Sequence, residues 1–207
     1  MKTDKGLGGI LQFMLRADRL KDVDRAGWII AKVKNPEHDG DHSYGTAVLS
    51  YLIAKKMRLD AERCAVMGLF HDINEAITGD IATRYDKSLM AVLPEIKRKR
   101  ERRNELKLAS ILTGGGKTAL REILDEYHAQ RTAEAKLVKQ VDKLDYIIQM
   151  VLYSKRIKSD ETVKEFFKTA GRVINLPEVR YIYEKVQRRV YMERGMRAPA
   201  HTKQSFL

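Results

Sequence analysis

Cysteine is nearly absent from this 207-residue sequence, and long hydrophobic runs are lacking altogether. The one cysteine, Cys64, cannot form a disulfide within the chain, so we expect it to pack inside a helix and expect the protein to occupy the reducing cytoplasm. No apolar run approaches the roughly 20 residues that cross a bilayer, and no signal-type apolar segment follows the first residues. These absences exclude a disulfide-stapled scaffold and predict a protein without a membrane span.

Strand-like alternation of apolar and polar residues is also lacking, whereas helical spacing of apolar residues recurs along the whole chain. The predicted helices span residues 7–20, 42–57, 61–70, 87–112 with a new start at Pro94, 117–128, 132–153, 161–170 and 177–194. The predicted fold class is therefore all-α. The length favours one domain, residues 1–197, followed by a polar C-terminal tail, residues 198–207, that we expect to be loose.

The apolar spacing also predicts which helix faces are buried. In the helix at 132–153 the inward stripe consists of Leu137, Val141, Leu144 and Ile148. Two further inward stripes are predicted, Leu7, Ile10, Leu11, Met14, Leu15 and Leu20 in the first helix, and Tyr44, Val48, Tyr51, Leu52 and Met57 in the second. Residues 25–37 between these two helices are predicted as a loop, since Pro36 disfavours helix at Asn35.

The net charge of +12 and the pI of about 9.7 raise the hypothesis of nucleic-acid binding. The densest basic run, residues 97–103, contains no aromatic residue on which a base could stack, so a solvated helix face is the favoured interpretation. A positive field also attracts phosphorylated small molecules, and charge alone does not choose between them. Gly116-Lys117-Thr118 imitates the end of a phosphate-binding loop, but the first glycine of that motif and the preceding strand are missing.

Four groups able to bind metal or transfer protons fall within ten residues: His71, Asp72, Glu75 and Asp80. The helix at 61–70 ends just before them, and one further helical turn would place Glu75 on the same side as His71 and Asp72. Gly79 then allows the chain to turn, so that Asp80 can point back toward them. A buried cluster of this kind is costly unless a divalent cation pairs it. The alternative is a surface helix end with solvated carboxylates.

Two residues from other helices bear on this cluster. His42 opens the second predicted helix, and Asp142 lies beside the inward stripe of the helix at 132–153. Together with His71 and Asp72 they would supply two imidazoles and two carboxylates. Such a mixed nitrogen and oxygen set suits Mn, Co, Zn, Fe or Mg with positions open for water and substrate. Spacing alone does not prove that these helices meet.

The sequence resembles the HD-domain metal-dependent phosphohydrolases, and within them the 5'-deoxynucleotidase branch. The resemblance rests on Asn35-Pro36-Glu37 leading to Asp41-His42-Ser43, on HDINEAITGD from His71 to Asp80, and on residues 133–136 leading to 139–143, and it covers about residues 11–152. It implies a compact helical bundle with a buried metal site, commonly a homodimer, that hydrolyses deoxyribonucleoside 5'-monophosphates.

The same resemblance implies residue roles. His42, His71, Asp72 and Asp142 would bind the divalent metal, while Glu75 and Asp80 would orient a water molecule and transfer its proton. Two matched positions would contact the substrate. Trp28 corresponds to a tryptophan near the sugar, and Arg25 is the candidate phosphate ligand, because Gly27 stands where the family often has its arginine. Asp41 also replaces the usual glutamate before the first histidine.

Two other functions remain open at this point. Relatives with the same metal site cleave cyclic, oligomeric or polyphosphorylated nucleotides, so the substrate could be one of these. The protein could instead bind nucleic acid through residues 97–103 and use the metal structurally, in which case its nucleic-acid affinity would fall steeply with salt.

Overall fold

The computed structural model describes residues 3–86, 88 and 90–197, and within these ranges the fold is all-α. The only β-type pairing there is an isolated antiparallel bridge between Asp24 and His38. The α-helices are α1 Thr3–Ala17, α2 Ala26–Ile30, α3 Asp39–Met57, α4 Ala61–Phe70, α5 Glu75–Thr78, α6 Pro94–Ile111, α7 Gly114–Ala129, α8 Ala133–Tyr153, α9 Asp160–Gly171 and α10 Pro177–Glu193, with 3-10 turns at Asp18–Asp22 and Ser154–Arg156. The predicted tail at 198–207 lies outside the described residues.

Helix α8 is the centre of the bundle, and α3, α4 and α10 pack against it. It begins at Thr132, whose hydroxyl accepts a hydrogen bond from the Ala135 amide at 3.2 Å, a standard N-terminal cap. Its predicted inward stripe is confirmed, since Leu137, Val141 and Leu144 are fully buried and Ile148 is partly buried. Because α8 is surrounded in this way, a polar residue at its margin, such as Asp142, faces other helices rather than solvent.

Helices α3 and α4 approach each other closely, and the contact is built from small residues. Ser43, Thr46, Ala47 and Ser50 form the buried face of α3, and Cys64 is fully buried in α4 as expected. The prediction that Tyr44, Val48, Tyr51 and Leu52 point inward is wrong, because all four are exposed, and only Met57 of that set packs against the core. Large side chains would hold the two helix backbones apart, so the small residues take the buried side.

The predicted inward face of α1 is also wrong. Leu7, Ile10, Leu11, Met14 and Leu15 are each about half exposed or more. The buried side of α1 carries Phe13, and Gly9 lies so close to α6 that an added Cβ would meet the Ile111 carbonyl oxygen at 2.9 Å. Leu20 is buried as predicted, but it follows α1 in the 3-10 turn.

Other boundaries also differ from the prediction: α1 begins at Thr3 and not at residue 7, and α3 begins at Asp39, so that His42 lies one turn inside the helix. The predicted loop at 25–37 contains the short helix α2, whose Trp28 is buried. Helix α6 begins at Pro94, so residues 90–93 are not helical, while Lys87 lies outside the described residues. Gly114–Gly116 form the first turn of α7 after another helix, which excludes a phosphate-binding loop that follows a strand.

None of the helices in the described ranges combines the length and apolar character that a membrane span requires.

Candidate metal centre and active site

The structure brings together the four predicted metal ligands from α3, the end of α4 and α8. The Nε2 atom of His42 lies 3.7 Å from Asp72 Oδ2 and 3.5 Å from Asp142 Oδ1, and His71 Nε2 lies 3.1 Å from Asp72 Oδ2. Both Nε2 atoms are buried and have no hydrogen-bond partner among the described residues. Two unpartnered imidazole nitrogens beside two carboxylates are a donor set that fits a divalent cation.

The other ring nitrogen of each histidine is held by the protein. His42 Nδ1 lies 2.7 Å from Asp145 Oδ2, and His71 Nδ1 lies 2.8 Å from the Gly68 carbonyl oxygen. When each Nδ1 carries the proton of its hydrogen bond and Nε2 carries none, the Nε2 lone pair is free to bind a cation. Gly45 leaves room for the Asp145 side chain beside His42, since an added Cβ at Gly45 would overlap the Oδ1 atom of Asp145.

His42 is fully buried, and its acidic neighbours control its pKa. Burial and the charge of Arg25 lower the pKa, but Asp142, 3.5 Å from Nε2, and Asp145, at Nδ1, outweigh both effects and raise it to about 9. A cation that binds Nε2 must therefore displace a proton, which links metal binding to pH.

A second group of carboxylates surrounds the Arg25 guanidinium. Arg25 Nη1 lies 3.0 Å from Asp39 Oδ1, 3.4 Å from Asp80 Oδ2, 3.6 Å from Asp72 Oδ2 and 3.8 Å from Glu75 Oε2. Gly79, with a φ of 71°, makes the turn that returns Asp80 to this cluster, where Asp80 Oδ2 also accepts the Ala26 amide at 2.9 Å. Glu75 reaches the cluster from the first residue of α5, after α4 has ended at Phe70.

The environment of Glu75 favours its protonated form. Burial contributes most to raising its pKa, and the charges of Asp72, Asp80 and Asp39 raise it further, while Arg25 opposes them. Its Oε2 atom is buried without a hydrogen-bond partner among the described residues. A carboxyl group of this kind is suited to exchange a proton with a bound water or substrate.

Lys97 belongs to this region, although the sequence placed it in a solvated basic run. Its Nζ atom donates to the Ile81 carbonyl oxygen at 2.7 Å and lies 4.0 Å from Glu75 Oε1. Lys99, Arg100 and Arg103 of the same run are exposed, as predicted. Asp39, Asp145 and Lys97 are thus three members of the site that the sequence did not reveal.

A cavity of about 500 Å³ opens beside both clusters. Asp72, Glu75 and Asp142 line it at the metal centre, and α9 with the loop before α6 forms the opposite wall. Arg84 in that loop makes a two-point ion pair with Glu165 of α9, at 2.7 and 2.8 Å. The size is in the range of pockets that hold small molecules.

The two predicted substrate contacts both line this cavity, but in different ways. The Arg25 side chain is 12% exposed and lies among the carboxylates described above. Trp28 is only 1% exposed, stacks on Phe166 with ring centroids 4.7 Å apart, and donates its indole N–H to Glu37 at 2.7 Å. Trp28 is therefore available to a ligand through its ring and not through a hydrogen bond.

The arrangement of the site agrees with a comparison to protein families. A family model described as HD domain matches residues 17–180. This chain belongs to the HD-domain family. Among curated relatives, the protein named 5'-deoxynucleotidase HDDC2 from Homo sapiens is 33% identical over 174 residues, which is 84% of this chain and 82% of that protein. The Xenopus laevis protein of the same name is 33% identical over 170 residues, or 82% of each chain.

Solved structures show the same HD-domain fold. A conserved hypothetical protein from Pyrococcus furiosus is 29% identical, with a TM-score of 0.65 over 86% of this chain and 99% of the other. A Pyrococcus horikoshii protein is 27% identical, with a TM-score of 0.67 over 86% of this chain and 98% of the other. The helical arrangement is thus common to these chains over nearly their full length.

Proposed function

We propose that this protein is a metal-dependent 5'-deoxynucleotidase, which releases phosphate from deoxyribonucleoside 5'-monophosphates. The observation that carries the proposal is the pair of unpartnered histidine Nε2 atoms beside Asp72 and Asp142, opening onto a cavity that Arg25 and Glu75 also line. The curated relatives that bear the name 5'-deoxynucleotidase support the choice of substrate.

In this proposal His42, His71, Asp72 and Asp142 hold one divalent cation, which when bound supplies a Lewis acid and an activated water. Arg25, which lines the cavity, binds a phosphate oxygen through its guanidinium N–H groups. Glu75, together with Asp80, orients the attacking water and exchanges a proton, and Asp80 also holds the start of α2 through the Ala26 amide. The ring of Trp28 borders the sugar.

The test is phosphate release from a panel of ribo- and deoxyribonucleoside 5'-monophosphates, using metal-stripped protein with Mn, Co, Mg, Zn or Fe added back singly. We expect release from the deoxy substrates, dependent on the added metal. If the protein cleaves only cyclic, oligomeric or polyphosphorylated nucleotides, the proposed substrate is wrong but the proposed metal site stands. Absence of cleavage with every metal, combined with salt-sensitive nucleic-acid binding, would contradict the enzyme assignment.

We also propose that the protein is a homodimer. The exposed apolar residues of α1 and α3 support this, because monomeric proteins rarely leave such faces uncovered. Sedimentation of the wild type is expected to give twice the chain mass, and Leu11→Glu with Leu15→Glu is expected to give the single chain mass. Met192→Glu, an exposed apolar position on α10, is the control that should remain dimeric. A monomeric wild type would contradict the proposal.

The cytoplasm is the compartment that we propose, supported by the single, fully buried cysteine. Burial raises the pKa of the Cys64 thiol to about 12, so this side chain is suited to packing and not to disulfide chemistry. Cell fractionation with detection of the intact chain tests the assignment, and recovery with a secreted fraction would contradict it.

A further inference from the structure

Asp39 is a buried carboxylate without an assigned role. Its side chain is fully buried at the first residue of α3, where Oδ1 accepts a hydrogen bond from Arg25 Nη1 at 3.0 Å. Its Oδ2 atom has no hydrogen-bond partner among the residues that the structure describes. Burying a carboxylate is costly, and burial raises the pKa of Asp39 to about 6 although Arg25 and, less strongly, Glu75 oppose this rise.

The backbone fixes this pair in place. The Asp39 amide donates to the Val23 carbonyl oxygen at 2.9 Å, and the Arg25 amide donates to the Glu37 carbonyl oxygen at 3.2 Å. These bonds tie the segment before α2 to the start of α3 on both sides of the Asp24–His38 bridge. The two side chains therefore meet because their backbones are already joined.

All four carboxylate contacts of Arg25 involve the same nitrogen, Nη1. Asp39 makes the shortest of them, and Asp72, Glu75 and Asp80 lie 0.4 Å or more farther away. A guanidinium carries five N–H groups in a fixed plane, so anchoring one nitrogen leaves Nε and Nη2 for another anion. Arg25 lines the cavity, and its side chain is 12% exposed.

We propose that Asp39 is a positioning residue, which holds Arg25 so that its remaining N–H groups meet the substrate phosphate. The proposal rests on the proposed function, in which Arg25 is the phosphate ligand. Without Asp39, the closest carboxylates to the Arg25 guanidinium would be Asp80, Asp72 and Glu75. The guanidinium would then turn toward these acidic residues and away from the substrate phosphate. Asp39 thus supports phosphate binding and itself transfers no proton in the chemical step.

Asp39→Val removes the anchor and retains a side chain of similar size. We expect it to raise KM for the deoxynucleotide about tenfold, the order expected for loss of a charge-assisted hydrogen bond that organises binding. Because Asp39→Val also removes a charge that raises the pKa of Glu75, kcat should be compared at the pH optimum of each protein, where it should change by less than about threefold. Competitive inhibition by inorganic phosphate should weaken by the same factor as KM. Asp39→Asn, which keeps an acceptor but not the charge, should give an intermediate KM.

Two controls separate positioning from general damage. Asp24→Asn changes an exposed acid in the same bridged segment and should leave KM unchanged. Arg25→Lys should raise KM by itself, and Asp39→Val should add little to it, because the residue being positioned has already been lost. If melting curves show that Asp39→Val does not fold, the KM and phosphate inhibition of Asp39→Asn are compared with those of the wild type instead.

Several results would overturn the role of Asp39. They are an unchanged KM and phosphate inhibition in Asp39→Val, a KM lower than that of the wild type, or full additivity with Arg25→Lys. If the wild-type protein cleaves no nucleotide with any metal, the proposed function fails on its own. Calorimetric titration of inorganic phosphate into metal-loaded protein then still tests Asp39, through a Kd about tenfold weaker in Asp39→Val.

Discussion

Asp72→Ala is expected to abolish both metal binding and phosphate release. Asp72 Oδ2 is the atom that lies near both histidine nitrogens, 3.1 Å from His71 Nε2 and 3.7 Å from His42 Nε2. Burial raises the pKa of Asp72, but the attraction of the neighbouring His71 ring, with help from Arg25, outweighs burial and lowers the pKa well below its ordinary value. Asp72 is therefore ionised across the whole working range, as a metal ligand must be.

The measurement is metal content by mass spectrometry together with turnover of a deoxynucleotide. Loss of a direct ligand should weaken metal affinity by more than the roughly 10–100-fold that loss of an outer supporting residue costs. Melting temperature should be measured beside it, because removing one carboxylate from a crowded acidic cluster need not unfold the chain. A fully metal-loaded Asp72→Ala protein would contradict the proposed ligand set.

Glu75→Ala is the matched variant, changed three residues away in the same segment. It should keep its metal, because Glu75 clusters with Asp39 and Asp80 beside Arg25 and Lys97, whereas the two histidines cluster with Asp72. Turnover should fall by about 10²–10⁴, the usual contribution of a general acid or base. Full activity would remove Glu75 from the mechanism, and loss of metal would make it a ligand.

Whether a site residue could be predicted from the sequence depends on its distance along the chain from the other site residues. His71, Asp72, Glu75 and Asp80 lie within ten residues, so one helix end and one glycine turn are enough to bring them together. His42 and Asp142 lie on distant helices, and only the resemblance to a family joined them to the cluster.

Asp39, Asp145 and Lys97 were missed for a physical reason. Charged residues are usually exposed, so each of the three looks like a surface residue in the sequence. Their burial depends on partners elsewhere in the chain: Arg25 for Asp39, His42 for Asp145 and the Ile81 carbonyl for Lys97. The one local sign for Asp145 was its position, three residues after Asp142 and on the same side of α8.

The helices themselves were predictable, but two of their buried faces were not. Hydrophobic spacing identifies an apolar stripe without saying whether this chain or another one covers it. In α3 the buried side is formed by serine, threonine and alanine, because backbone contact with α4 leaves no room for tyrosine or leucine. Steric fit outweighs hydrophobicity at such a crossing, and the leucines of α1 and the tyrosines of α3 remain at the surface.

Gly68→Ala tests this crossing directly and is expected to damage both stability and the metal centre. A Cβ at Gly68 would lie 2.8 Å from Ala47 Cα, 2.9 Å from Ala47 N and 3.1 Å from the Thr46 carbonyl carbon. All three are backbone atoms, so no side-chain rotation relieves the overlap and the helices must separate. Overpacking of this kind costs about 1–3 kcal/mol, which outweighs the gain of up to about 1 kcal/mol for alanine over glycine in a helix.

The same displacement should reach the ligands, because α3 carries His42 and the Gly68 carbonyl oxygen accepts the hydrogen bond from His71 Nδ1. We therefore expect Gly68→Ala to lower the free energy of unfolding in urea and also to weaken metal affinity. Gly116→Ala in the first turn of α7 is the control, since a methyl group there meets nothing within 4 Å and should stabilise the protein or leave it unchanged. If Gly68→Ala were as stable as Gly116→Ala, close packing would not be the reason why small residues occupy the buried face of α3.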